Sequence, residues 1–531
     1  MKVLLAASEA APIVKLGGLG DVIGSLPKAL QRQGVNIDVI IPFYPLAKIQ
    51  DLKIYKALEL NVPFDGENHL VEVHKTQLPN SDVDTFLLRN SDFFTLGGKS
   101  AFLNTKTETE MFAFFNRAVV EFIKSQFNTY DLVHCNDWHT GLITHMLKDE
   151  IPTNRPATLL TIHNILYQGV GDRHLVEAAG FVPGQHPLID WDLEDGDINM
   201  MLQGITSADY INTVSPTYAQ EIVSKEFGGG FADILRNRSG RLSGILNGLD
   251  LSMFPRNYDV HDVTEGKLVA KKKLAKKLGF NVADSAENPQ VLANSGNLKE
   301  ASKESKSSAL SETPVFGYIG RLDPGQKGLD ILHKFLDDYL SGAVVSTIAS
   351  DAGAGANTET TKKTNSSKMA HSMPHFVILG KGDPIWEGKF RALGEEYENL
   401  HVVTAFDEEL AKEIYAGSDF LLVPSRYEPC GLIQMIAMWY GSLPIVRATG
   451  GLKDTVENGV TGFVFRDYSA EALARAVESA LRVFWRTDDV SGSRLETMRQ
   501  NAMRKDFSWD KSAQAYKDLY SRAVKLRQMM N

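Results

Sequence analysis

The chain has 531 residues, of which 43% are hydrophobic and 23% charged, a composition typical of folded soluble proteins rather than disordered or fibrous ones. It carries 56 Lys and Arg against 66 Asp and Glu, for a net charge of −10, so its overall charge gives no reason to expect a nucleic-acid or membrane partner. Its two cysteines are too few for a disulfide framework and fit the reducing cytoplasm.

Short apolar segments alternate with amphipathic segments, which predicts a doubly wound α/β architecture of parallel strands covered by helices. Helices are predicted over 26–33, 329–340 and 411–417, and a terminal helix follows from apolar side chains spaced three or four residues apart between 509 and 523. The predicted strands are 3–7, 38–41, 132–134, 158–162, 210–214, 243–246, 315–319, 376–379, 401–404, 420–423 and 444–447.

The strand pattern falls into two sets, which predicts two Rossmann-like domains. We expect an N-terminal domain over 1–255, a connecting segment over 256–313, a C-terminal domain over 314–500, and a C-terminal helix within 501–531 that crosses back to the N-terminal domain. Residues 281–313 and 349–372 contain few residues that could form a core. We therefore predict that both segments are flexible surface insertions.

The first motif runs from Lys15 through Gly17, Gly18 and Gly20 to Asp21, between a predicted strand and a predicted helix. Glycines let the backbone approach an anion closely, and the N–H groups of a helix N-terminus attract phosphate. The motif therefore favours phosphate binding with Lys15 as the cation, although a tight turn with a surface lysine would give the same pattern.

Two histidine-containing motifs follow predicted strands of the first half, at the strand ends where α/β proteins bind ligands. The first motif contains Asp137, Trp138 and His139, and the second contains His163. Trp138 could stack on a sugar ring or fill the core, and His163 could bind a sugar or serve a structural role. His134 and His139 are five residues apart, which does not match a metal-binding helical pair, so we predict no metal site.

Three motifs of the second half occupy equivalent positions. Arg321 and Lys327 precede a predicted helix and could clamp a diphosphate or form surface salt bridges. Glu428 follows a predicted strand, where its carboxylate could accept hydrogen bonds from hydroxyl groups. The turn formed by Gly450, Gly451 and Leu452 opens another helix. Phosphate-binding elements in both halves predict a phosphorylated ligand in a cleft between the two domains.

Taken together, these motifs resemble those of the bacterial-type glycogen synthases and the plant starch synthases. The resemblance covers almost the whole chain apart from the two insertions. It includes the segments 15–21, 134–141, 161–164, 213–219, 235–240, 244–250, 321–328, 415–419, 428–432, 449–452 and 508–510.

The resemblance implies the GT-B fold, in which two Rossmann-like domains face a central cleft. It also implies transfer of glucose from ADP-glucose to the non-reducing end of an α-1,4-glucan, with retention of anomeric configuration and without a metal or another cofactor. Two alternatives remain open at this point: a GT-B glucosyltransferase that uses UDP-glucose, and a non-catalytic glucan-binding or regulatory homologue.

The same resemblance implies roles for individual residues. Lys15, Gly18, Arg321 and Lys327 would bind the diphosphate, and Asp21 belongs to the same substrate-binding motif. Glu428, His163 and Asn247 would face the transferred glucose, as would the backbone of Gly450, Gly451 and Leu452, while Asp137 would lie near the reacting centre. The family commonly separates the Arg and Lys of the clamp by five positions, whereas Arg321 and Lys327 are six apart.

Overall fold

The computed structural model describes residues 1–95, 106–126, 128–282, 313–343, 373–485 and 493–530. These residues form two compact units, Met1–Asp250 with Phe507–Asn531 and Leu251–Asp506. The predicted insertion 349–372 lies outside the described residues, as does nearly all of 281–313. None of the described helices combines the length and apolarity needed to cross a membrane.

The first unit contains a mixed sheet of nine strands among its described residues, in the order β11-β10-β7-β6-β1-β2-β5-β4-β3. Its strands are β1 Lys2–Ala6, β2 Asn36–Pro42, β3 Tyr55–Phe64, β4 Glu67–Gln77, β5 Asp84–Arg89, β6 Leu132–Asn136, β7 Ala157–Ile162, β10 Tyr210–Thr213 and β11 Leu242–Gly244, and β8 Val170–Asp172 pairs separately with β9 Asp197–Asn199. Its helices are α1 Gly18–Arg32, α2 Lys106–Ser125, α3 Gly141–Glu150, α4 Arg173–Ala178, α5 Pro187–Asp192, α6 Met200–Ser207, α7 Pro216–Glu221 and α8 Ala232–Asn237.

The central strands of this sheet are parallel and buried on both faces, as their continuous apolar sequences predicted. The sequence analysis did not predict β3, β4 and β5. In β3 the buried Leu60, Val62 and Phe64 alternate with exposed residues, and β3 and β4 pair antiparallel. An antiparallel edge can face water on one side, so β3 and β4 lack the continuous apolar pattern of the central strands.

The second unit contains a six-stranded parallel sheet among its described residues, in the order β14-β13-β12-β15-β16-β17. Its strands are β12 Val315–Ile319, β13 His375–Leu379, β14 Leu400–Val403, β15 Phe420–Val423, β16 Leu443–Arg447 and β17 Phe463–Phe465. Its helices are α9 Val263–Leu278, α10 Leu329–Leu340, α11 Pro384–Glu396, α12 Glu408–Gly417, α13 Ile433–Trp439, α14 Gly450–Thr455, α15 Ala470–Trp485 and α16 Arg494–Met503.

Two helices lie outside the two predicted domains in the chain, and each packs in one of the two units. Helix α9, from the predicted connecting segment, packs in the second unit, where Lys271 Nζ lies 2.7 Å from the buried Asp419. The last helix, α17 (Trp509–Met530), packs on the first unit, where Lys517 Nζ donates to the Gln33 carbonyl at 2.7 Å. The first unit is therefore built from both ends of the chain.

Strand order predicts where ligands bind in each sheet. In the first sheet the order reverses between β1 and β6, and in the second between β12 and β15. Crevices at the carboxyl ends of strands beside such reversals are the usual ligand sites of open α/β sheets. Most of the predicted site residues follow these four strands.

Candidate active site

In the first unit, the loop after β1 is organised by a buried carboxylate. Glu9 accepts hydrogen bonds from the backbone N–H groups of Leu16 and Gly17, the second at 3.0 Å. Burial raises the pKa of Glu9. A Cβ on Gly20 would lie 2.8 Å from Glu9 Oε2, so a larger residue there would displace the Glu9 carboxylate. The sequence analysis missed Glu9, although an acid directly after a buried strand was a usable signal.

The predicted phosphate-binding residues lie on this same loop. Lys15 Nζ is 2.9 Å from Asp21 Oδ1, and both side chains are partly exposed. A Cβ built on Gly18 would have no heavy atom of the described structure within 4 Å. The backbone at Gly18 is thus open to a ligand, with a lysine ammonium on the same loop.

Asp137 follows β6 and connects it to the end of β7. Its Oδ1 accepts the His163 backbone N–H at 2.7 Å, and its own N–H donates to the Thr161 carbonyl at 2.9 Å. Asp137 has a positive φ of 57°, a backbone conformation that non-glycine residues adopt mainly where the surroundings enforce it. Burial raises the pKa of this carboxyl group to about 7.

The imidazole of His163 is neutral at physiological pH because burial lowers its pKa to about 3. Its Nε2 lies 3.0 Å from Asn136 Oδ1, while Asn136 Nδ2 donates to the Ala6 carbonyl at 3.0 Å. This amide orientation assigns the ring proton to Nε2. His163 can therefore form hydrogen bonds to a ligand but cannot supply a positive charge.

The neighbouring aromatic residues have structural roles. Trp138 is only 2% exposed and stacks on His139 with ring centroids 4.1 Å apart, so it fills the core. His134 lies between the hydroxyl groups of Tyr520, at 2.8 Å, and Thr161, at 2.7 Å. Both nitrogens of His134 thus have partners within the fold.

Asn247 follows β11 and is 7% exposed. Its Oδ1 is buried and has no hydrogen-bond partner among the described residues. Because buried polar atoms are normally satisfied, this oxygen is a candidate acceptor for a ligand hydroxyl.

In the second unit, polar contacts converge on Glu428, which follows β15 and is 5% exposed. Its Oε2 lies 2.7 Å from Lys327 Nζ and accepts from Ser425 Oγ at 3.0 Å. Gln326 Nε2 lies 3.5 Å from the other carboxylate oxygen. The structure therefore brings together Lys327 and Glu428, which are 101 positions apart in the chain.

The longer spacing between Arg321 and Lys327 is accommodated by a turn. The Asp323 carbonyl accepts the Lys327 N–H at 3.0 Å, in a turn that precedes α10 and from which Lys327 reaches Glu428. Arg321 Nη2 lies 3.4 Å from Gln326 Oε1 and 3.8 Å from Asp323 Oδ2. Gln326 therefore connects Arg321 to Glu428. Sequence reasoning missed Gln326 because only the tertiary structure reveals its carboxylate partner.

The glycine turn after β16 packs directly against the Glu428 segment. Gly450 has a φ of +43°, and a Cβ there would lie 1.9 Å from the Glu428 carbonyl oxygen. Gly451 N–H donates to that oxygen at 3.1 Å, and Leu452 N–H donates to the Thr449 carbonyl at 3.1 Å. The N–H groups of Gly451 and Leu452, which were expected to face the sugar, thus have partners within the chain, and the turn fixes the Glu428 backbone.

Two family models match the chain, "Starch synthase catalytic domain" over residues 2–237 and "Glycosyl transferases group 1" over 300–483. The glycogen synthase of Fervidobacterium nodosum is 36% identical, with 98% of this chain and 99% of the relative covered. The glycogen synthase of Thermotoga maritima is also 36% identical, with 99% of each covered.

Among solved structures, the catalytic domain of starch synthase IV from Arabidopsis thaliana, bound to ADP and acarbose, matches with a TM-score of 0.76. It is 27% identical, and 99% of each chain is covered. These findings confirm the predicted GT-B fold and the resemblance on which the functional prediction rests. Both units place candidate residues directly after strands of their sheets, Lys15 and Asp137 in the first and Lys327 and Glu428 in the second. With full-length similarity to curated enzymes, this chain belongs to the glycogen/starch synthase family of glycosyltransferases.

Proposed function

We propose that this glycogen/starch synthase uses ADP-glucose and adds glucose, with retention of configuration, to the non-reducing end of an α-1,4-glucan, elongating glycogen in the cytoplasm. The observation that carries the proposal is the partly buried Lys327–Glu428 pair, with Nζ and Oε2 2.7 Å apart. It provides a cation for a phosphate beside a carboxylate for sugar hydroxyls. The ADP bound to the Arabidopsis relative supports an adenine nucleotide as the leaving group.

In this proposal, Arg321 and Lys327 bind the donor diphosphate. Their positive charge stabilises the leaving nucleoside diphosphate as negative charge develops in the transition state. Lys15 and the open backbone at Gly18 contribute to diphosphate binding, and Asp21 positions Lys15 through their 2.9 Å contact.

The remaining residues bind the sugars. Glu428 accepts hydrogen bonds from the transferred glucose, and the turn at Gly450, Gly451 and Leu452 borders this sugar. Asn247 and the neutral His163 form further hydrogen bonds to glucose hydroxyls. Asp137 lies near the reacting centre and fixes His163 through the His163 N–H. The donor phosphate takes the proton of the attacking hydroxyl, so no protein residue acts as the base.

The decisive experiment compares glucose transfer to glycogen from ADP-glucose and from UDP-glucose, with no metal added and a chelator present. We expect rapid incorporation from ADP-glucose only, into linkages that an α-1,4-specific glucosidase releases. Incorporation from UDP-glucose alone would contradict the proposed donor. Glycogen binding without incorporation from either donor would contradict catalysis.

A further inference from the structure

The second unit has a surface cavity that is lined by none of the residues proposed for glucose transfer. It has a volume of about 560 Å³ and lies along β17 and α15. Its lining includes the side chains of Arg466, Arg475, Arg482 and Arg494 together with Asp467 and Phe465. A volume of this size suits a small organic ligand.

The cavity is strongly positive although the chain has a net charge of −10. Its lining contains four arginines and one acidic residue, Asp467. Arg482 lies 3.8 Å from Glu478. Among the described residues, no carboxylate oxygen lies within 4 Å of a guanidinium nitrogen of Arg466, Arg475 or Arg494, and Glu478 is the nearby carboxylate on which Arg475 and Arg482 both act. Gathering like charges around one cavity costs electrostatic energy, which an anionic ligand would offset.

This cavity is separate from the Lys327–Glu428 pair. The strand β17 is at the edge of the sheet, and β16 lies between it and β15, which Glu428 follows. None of the predicted substrate-binding residues lines the cavity. A ligand bound here would therefore contact a different set of side chains from those proposed for the donor.

An extended acidic peptide is a less suitable occupant. Although β17 is an edge strand, the Val464 N–H already donates to Asn458 Oδ1 at 2.9 Å. A peptide adding to the sheet would need such backbone groups as partners. The edge is thus partly closed to strand pairing, while the arginine side chains remain exposed.

We propose that this arginine-lined cavity is a binding site for a soluble organic phosphate with at least two phosphate groups. Each guanidinium can donate two parallel hydrogen bonds to phosphate oxygens, which suits phosphate better than a single-point ammonium would. Phe463, Phe465, Ala472 and Ala476 provide an apolar wall for the body of the ligand. The site would take its ligand by charge and shape, without contact with the reacting sugar.

The test measures binding of inorganic pyrophosphate and of a sugar bisphosphate by calorimetry. Because pyrophosphate also fits the proposed diphosphate site, binding is measured in the Lys327→Ala background, where the arginine cavity should account for the remaining event. We expect the double variant Arg475→Gln/Arg494→Gln to weaken this event at least tenfold. Arg391→Gln, at an exposed arginine of α11 in the same unit, should bind like its parent.

Three outcomes would overturn the proposal. The first is unchanged binding in the double variant. The second is equal weakening by Arg391→Gln, which would indicate nonspecific attraction. The third is that the soluble phosphates do not bind, while the protein co-sediments with phosphatidylglycerol vesicles in a way that depends on Arg475 and Arg494. That result would identify a lipid headgroup as the source of the bound phosphate. The double variant should retain its parent's melting temperature and, without Lys327→Ala, normal glucose transfer, since its exposed side chains lie outside the proposed catalytic residues.

Discussion

Glu428 is the residue on which the polar contacts of the second unit converge. Its carboxylate contacts Lys327, Ser425 and Gln326, and its carbonyl accepts the Gly451 N–H. A carboxylate held by so many groups has a fixed orientation before any ligand binds. A transferase needs such preorganised groups around its sugar, because the leaving group must depart in one direction.

We expect Glu428→Gln to lower the rate of glucose transfer by about 100-fold, the order of magnitude for loss of one preorganised polar group. The amide keeps the size of the side chain and can still accept from Ser425 but loses its negative charge beside Lys327. Initial rates with ADP-glucose and glycogen measure the effect, and a melting curve checks the fold. Glu409→Gln, at an exposed glutamate of α12, is the matched control. A rate within threefold of wild type would contradict a role for Glu428 in the reaction.

At the scale of elements, the C-terminal helix α17 completes the core of the first unit. Its Tyr520 hydroxyl lies 2.8 Å from His134 Nδ1, and its Tyr516 hydroxyl accepts from Asn212 Nδ2 at 3.0 Å. Arg32 at the end of α1 forms an ion pair with Asp510 at 2.7 Å. The helix thus supplies hydrogen-bond partners for buried polar side chains of the sheet strands, in addition to apolar contacts.

We expect Tyr520→Phe to reduce the free energy of unfolding by about 1–3 kcal/mol, because it leaves His134 Nδ1 buried without its partner. Denaturant titration measures the change. Tyr55→Phe removes a hydroxyl from a tyrosine that is 58% exposed and should be neutral. Equal stabilities of the two variants would show that the Tyr520–His134 contact contributes nothing.

At the scale of the molecule, pH couples to stability through buried titratable groups of the first unit. Burial lowers the pKa of His134, His139 and His163 to about 3 each. The unfolded chain would bind these protons near pH 6.5, so their contribution to stability is complete above pH 6.5 and is lost as the pH falls towards 3. Asp137 acts oppositely: its raised pKa of about 7 favours the folded state at low pH, and that contribution is lost between about pH 4 and pH 7.

Between pH 7 and pH 5 we therefore expect the free energy of unfolding to fall by about 2 kcal/mol less in His134→Gln than in wild type. This value follows from about 1.4 kcal/mol per pKa unit over the roughly 1.5 units between pH 6.5 and pH 5. The comparison of interest is the difference between the two pH values, since the substitution also changes hydrogen bonds. Denaturant titrations at both pH values, alongside wild type and the exposed His174→Gln, measure it. A pH dependence identical to wild type would contradict a buried neutral His134.

The amino-acid sequence by itself determined the alternation of strands and helices, because strands buried on both faces must be continuously apolar. It also indicated Lys15, Asp137, His163, Lys327 and Glu428, since ligand-binding residues of α/β proteins follow strands. The partly solvated strands β3 and β4 escaped that pattern because only one of their faces is buried.

Tertiary structure alone decided which of these residues meet. Only folding brings Lys327 to Glu428 and α17 to His134, because such pairs are joined by strand order and helix packing rather than by proximity in the chain. Gln326 was missed for the same reason, because its carboxylate partner Glu428 is distant in the chain. A local sequence pattern indicates which residues are buried and where the chain turns, whereas the fold determines which residue pairs with a buried charge.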